Sequence, residues 1–179
     1  MKTRLLRFGS YLILAVVLMG YGLPDKLRKK VDKEVRKIFE VETFKLDPVI
    51  LPDTFKAGLP TAITPDNFFM VRKEAVLLGY AFVDKASSKT AQFDYLVLLD
   101  PELKIVHSKV LIYREEYGGE IGSSRWLKQF LGKTGKDRVD LKSNIDGISG
   151  ATISVRSMTM AMDNLLQSIG ILQKNNALK

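Results

Sequence analysis

Three observations predict an α+β fold for this 179-residue chain, an antiparallel sheet with helices packed on it. Residues 68–73, 75–86, 91–100 and 104–115 are rich in β-branched and aromatic side chains, as extended segments are. Short polar turns such as 100–104 separate them, and links of that length join antiparallel neighbours, because a parallel crossover needs about a dozen residues or more. Helical periodicity flanks this region on both sides, over residues 24–40 and again from 153 to 169.

At the N-terminus, Lys2, Arg4 and Arg7 precede an uncharged run from Phe8 to Leu23. As a helix this run spans roughly 24 Å at about 1.5 Å per residue, somewhat less than a bilayer's hydrocarbon core of about 30 Å. Residues 1–23 are therefore expected to be a single-pass membrane anchor or a secretory signal; the triplet Gly20-Tyr21-Gly22 is a poor cleavage site. Seven bases between Lys26 and Lys37 oppose the vote of the first three, so the charge rule alone leaves the orientation open.

Residues 24–43 read as a basic amphipathic helix and linker. Leu27, Val31, Val35 and Ile38 share one face, Pro24 suits the first turn, and the bases surround the rest, a pattern expected to lie against anionic head groups.

The net charge of +8 is concentrated here, since residues 1–40 hold ten Lys/Arg against four acidic residues. A basic stripe confined to the flanks of an apolar segment points to membrane lipid and away from nucleic acid. With no cysteine and one histidine, disulfides, thiolate metal sites and His-rich metal sites are excluded, and a His-based triad has little support. His107, in Lys104–Tyr113, reads as an ordinary strand residue.

Residues 44–172 are expected to form the folded domain, with 173–179 as a flexible tail. A short helix is expected near 123–131. In the long one Val155, Met158, Met162, Leu165, Leu166 and Ile169 fall on one face as core, and Gly170 is placed to end it.

Immediately before the long helix stands Asp146-Gly147-Ile148-Ser149-Gly150-Ala151-Thr152. One reading is a glycine-rich turn in which Asp146, Ser149 or Thr152 caps the helix. The other starts from the free N–H groups of a helix N-terminus, which seat phosphate. Gly150 and Ala151 would let a ligand approach the backbone, and the Thr152 hydroxyl could hold a phosphate covalently. The turn at Gly118, Gly119 and Gly122 permits similar close approach. Tyr113, Tyr117 and Trp126 could stack on a planar ligand, and Arg125 and Lys128 could balance its charge; for each, ordinary packing or solvation is the alternative.

This heptad resembles the flavinylation motif Asp-x-x-Ser/Thr-Gly-Ala-Thr of FMN-binding domains, found in the G subunit of Rnf-type electron-transport complexes and the C subunit of the sodium-translocating NADH:quinone oxidoreductase. Over roughly residues 65–170 the order of segments is also similar, from the Gly79-Tyr80 strand through the hairpin to the glycine turn. Glu115-Glu116-Tyr117-Gly118-Gly119-Glu120 stands where Rnf-type subunits have a Glu-Thr-Pro-Gly-Leu-Gly-like turn.

The resemblance implies covalent FMN, carried on Thr152 through a phosphoester, with Asp146, Ser149, Gly150, Ala151, Tyr117, Gly118 and Gly119 as its surroundings. It further implies a flavin transferase using FAD as donor, a membrane redox complex or quinone-linked donor, and a soluble domain outside the cytoplasm. No residue reads as a substrate-specific acid, base or nucleophile, so the expectation is an electron carrier and not a complete enzyme. The rival readings are a membrane-tethered binding module without flavin and a small-molecule reductase with non-covalent FMN.

Overall fold

The computed structural model describes residues 22–178. Almost all of the expected anchor or signal segment, 1–23, therefore lies outside the described residues. Among those described, no helix is long and apolar enough to cross a membrane.

The chain begins with helix α1 (Asp25–Phe39), followed by strand β1 (Lys45–Pro48) and a single helical turn, α2 (Asp53–Lys56). Four strands come next: β2 (Phe68–Lys73), β3 (Val76–Ser87), β4 (Gln92–Leu99) and β5 (Ile105–Ile112). A 3-10 turn (Gly119–Gly122), the short helix α3 (Ser124–Leu127) and a second 3-10 turn (Lys128–Phe130) lead through a long loop to α4 (Thr152–Lys174). The five strands form one sheet in chain order, every neighbour antiparallel. The expected fold class and four of the strands are present; β1 and α2, too short and too polar to show a period, were not anticipated.

Alternation along the strands builds two cores. Phe68, Tyr80, Phe82, Phe93, Tyr95, Val97 and Leu99 point to one face, where Val155, Met158, Met162, Leu165, Leu166, Ile169 and Leu172 of α4 cover them. Val71, Ala81, Val83, Leu96, Leu98 and Leu111 point to the other, against Leu27, Val31 and Val35 of α1. From Phe93 to Leu99 every residue of β4 is buried, so this strand, between β3 and β5, is enclosed on both faces. Each large apolar side chain so enclosed contributes about 1.5–3 kcal/mol.

Three expectations are corrected. The apolar face of residues 24–40 is not a lipid-facing surface on a linker: Val31 and Val35 are completely buried under the sheet, and α1 is part of the folded body. Its exposed face carries Lys26, Lys29, Lys30, Lys33, Arg36 and Lys37. Gly170 does not end α4, which continues to Lys174; a Cβ at Gly170 would stand 2.4 Å from the Gly135 carbonyl oxygen, so its role is close approach of two backbones. The expected tail is also held, since Leu178 is buried and Ala177 packs on the main core.

His107 behaves as an ordinary strand residue. Its Nε2 lies 3.0 Å from Glu34 Oε2 of α1, and burial holds the imidazole pKa below its usual value against the opposing pull of that carboxylate.

Candidate functional site

The loop before α4 is fixed at several points. Arg138 makes two bonds to the Asp163 carboxylate, 2.8 and 2.7 Å, and the Val139 N–H donates to the same group at 3.1 Å. These contacts hold the Asp163 pKa below the ordinary carboxylate range, the Arg138 hydrogen bonds contributing most. Further on, the Trp126 indole N–H donates to the Asp146 carbonyl at 2.7 Å, and the Asp146 N–H donates to Gln129 Oε1 at 2.8 Å. The heptad is thereby pinned by its first residue.

From there the backbone turns through Gly150, whose φ of +81° is left-handed and favours glycine, and the Ala151 N–H closes onto the Ile148 carbonyl. Ala151 occupies the cap position of α4 and has no side-chain acceptor; no side-chain cap hydrogen bond is made. This overturns the capping reading of Asp146, Ser149 and Thr152. Asp146 is held by its backbone at Trp126, and Thr152 is already the first helical residue, one position past a cap. The Thr152 side chain is exposed, as are Ser149 and Gly150, while Ala151 is buried beneath them.

Two other segments meet this helix start. The Tyr113 hydroxyl, just beyond β5, donates to the Tyr117 carbonyl at 3.0 Å and lies 3.2 Å from Ser154 Oγ of α4. Gly118, at a φ of +81°, sits so close that a Cβ there would stand 2.8 Å from the Tyr113 hydroxyl and 3.6 Å from Ala151 Cβ. Gly119 opens the 3-10 turn, with nothing near its Cβ direction.

The tip of the β3–β4 hairpin completes the wall. Glu115 Oε1 accepts from Ser88 Oγ (2.5 Å), Thr90 N (2.6 Å) and Ala91 N (3.1 Å), while Ser157 of α4 donates to the Ser87 carbonyl. These donors, Ser88 first, hold the Glu115 pKa below its usual value.

The result is a cleft of about 490 Å³ lined by Lys89, Tyr113, Glu115, Tyr117, Gly150, Ala151, Thr152, Ile153 and Ser154. Small-molecule sites commonly measure roughly 300–1,000 Å³. In this cleft the exposed Thr152 hydroxyl, the open start of a 23-residue helix and one lysine converge, and Gly118 packs close against Ala151 of the lining. These features fit a phosphate-bearing planar ligand such as FMN.

Thus Thr152, Gly150, Ala151, Gly118 and Tyr117 come together as the sequence suggested, and Asp146 anchors the heptad without lining this cleft. Asp146 instead lines a neighbouring one of about 330 Å³ with Arg125 and Trp126. Of the three aromatic candidates Tyr117, 82% exposed, has the ring most open to a ligand. The Trp126 ring is buried edge-on against Phe130, and Tyr113 packs on Phe93. Lys128 lines neither cleft. Sequence reasoning missed Lys89, and Glu115 entered it only as part of the 115–120 turn. Only pairing of β3 with β4 could have signalled the first, because it sets residues 88–91 as a tight tip.

Residues 90–167 match the family model described as the FMN-binding domain. None of the curated proteins matches the chain. From the start of β4 into the second half of α4 the chain is therefore similar to FMN-binding domains, which supports a flavin-binding protein with FMN as its cofactor.

Proposed function

We propose that the protein is a membrane-anchored electron carrier whose FMN is attached through a phosphoester to Thr152, relaying electrons between a membrane redox partner and an acceptor outside the cytoplasm. The observation that carries this reading is the exposed Thr152 hydroxyl in a cleft at the start of α4, unused as a cap, within a stretch similar to FMN-binding domains. When bound, FMN supplies acceptance of two electrons and their release one at a time; the chain supplies attachment, orientation and electrostatics.

Thr152 is an acceptor and not a catalyst. Its Oγ would bond to the FMN phosphorus as the pyrophosphate bond of FAD breaks and AMP leaves, the hydroxyl proton passing to a base of the transferase. Tyr117 would cover the flavin ring, and Gly118 and Gly150 would admit the phosphate and ribityl chain against the backbone. With the apolar side of α1 covered by the sheet, that helix would meet the membrane only through its lysine face, an attraction screened by salt.

The test is in-gel flavin fluorescence after denaturing electrophoresis, on protein co-expressed with its host's flavin transferase. The wild-type band is expected to fluoresce and Thr152→Ala to be dark, while thermal stability stays within about 0.5 kcal/mol because the side chain is exposed. A fluorescent Thr152→Ala band would move the attachment elsewhere. A yellow protein that loses all colour on denaturation would replace the ester with non-covalent FMN.

A further inference from the structure

A phosphoester at Thr152 keeps a negative charge beside the helix start. The cleft is lined by two charged side chains, and they are not equivalent. The Glu115 carboxylate is occupied by the hairpin, accepting from Ser88 and from the N–H groups of Thr90 and Ala91. Lys89, on the same hairpin tip, makes no ion pair or hydrogen bond among the described residues, and it lines the cleft with Thr152.

The tip is also stiff. Besides Glu115, the Ser88 N–H bonds to the Ala91 carbonyl at 2.8 Å, and Ser157 of α4 ties the Ser87 carbonyl to the helix that carries Thr152. A cation on a preorganised turn loses less entropy on pairing than one on a loose loop. Lys89 precedes the stretch that matches FMN-binding domains, which begins at residue 90.

From this arrangement we infer that Lys89 is the positioning residue that pairs with the FMN phosphate at Thr152, and that Glu115 is the strut presenting it. The inference rests on the covalent-flavin reading. Two contributions converge on the phosphate: the first N–H groups of α4, which point along the helix axis, and the Lys89 ammonium, which meets it from the side.

The experiment is the rate of covalent loading of the full chain in detergent with FAD and its flavin transferase, read as in-gel fluorescence against time. Lys89→Gln is expected to slow loading by about tenfold, the scale of one charge-assisted hydrogen bond. Lys89→Arg restores the wild-type rate, Lys89→Glu is slower than Lys89→Gln, and Glu115→Gln falls between wild type and Lys89→Gln. Raising the salt concentration slows the wild type toward Lys89→Gln and leaves Lys89→Gln nearly unchanged. Melting curves of the unloaded variants show that they are folded. On loaded protein, the phosphorus NMR line narrows in Lys89→Gln, as the phosphate gains freedom.

Loading of Lys89→Gln at the wild-type rate, or Lys89→Arg as slow as Lys89→Gln, overturns the role of Lys89 and leaves covalent attachment standing. A wild type that never fluoresces, beside a control protein that does, overturns the attachment itself and this inference with it.

Discussion

The first turn of α4 and the rest of that helix are built to opposite ends. Thr152 and Ile153 are exposed at an uncapped start, beside a cleft; from Val155 to Leu172 one side of the rod is sealed against the aromatic face of the sheet. The contrast shows how one element can divide its labour. Burial of the body fixes where the first turn stands, so the first turn can leave its donors and its hydroxyl unspent.

The largest effect should come from cutting the body. Met158 is fully buried, and Met158→Ala should cost about 2–5 kcal/mol in a denaturant titration while leaving any folded fraction able to take up flavin. If the two regions were not separable in this way, loading would fall while stability held.

A smaller effect is expected where the body grips the loop. Asp163→Ala should cost about 1–3 kcal/mol, chiefly because the buried Val139 N–H loses its acceptor; the Arg138 side is open to solvent and screened. The lowered pKa of Asp163 fixes the sign of its pH dependence. Its contribution is complete above about pH 4, the unfolded value, and is lost as pH falls through the lower folded value. The acid limb of a stability-against-pH curve should therefore flatten in the variant.

The smallest effect has the opposite direction. Thr159 is buried on the body with a hydroxyl that makes no hydrogen bond among the described residues, so Thr159→Val should raise the unfolding free energy in a denaturant titration, by about 1 kcal/mol at most. A loss of stability there would mean that the hydroxyl has a partner in solution.

Much of the sheet was legible in the sequence because alternation and short polar turns act locally: the boundaries of 68–73, 91–100 and 104–115 fall within a few residues of β2, β4 and β5. The heptad was legible too, since a cluster of small residues before a helical period is a local pattern. What depended on distant partners was not. The face formed by Leu27, Val31 and Val35 has the same spacing whether its partner is a lipid surface or the far side of a sheet. Gly170 reads as a stop until Gly135 is found against it. Glu115 gives no sign that its bonds run 24 to 27 residues back to a hairpin, and a lysine in a polar turn looks like any solvated charge until Thr152 is placed across the cleft.

The Tyr113 hydroxyl, joined to the Tyr117 carbonyl and beside Ser154, makes the glycine turn and the helix start one body. The consequence concerns timing. Because that body already displays Thr152 at the surface, the proposed loading would require no opening of the fold, so folding would come first and cofactor second. An empty chain would then already stand in finished form, complete in everything except colour.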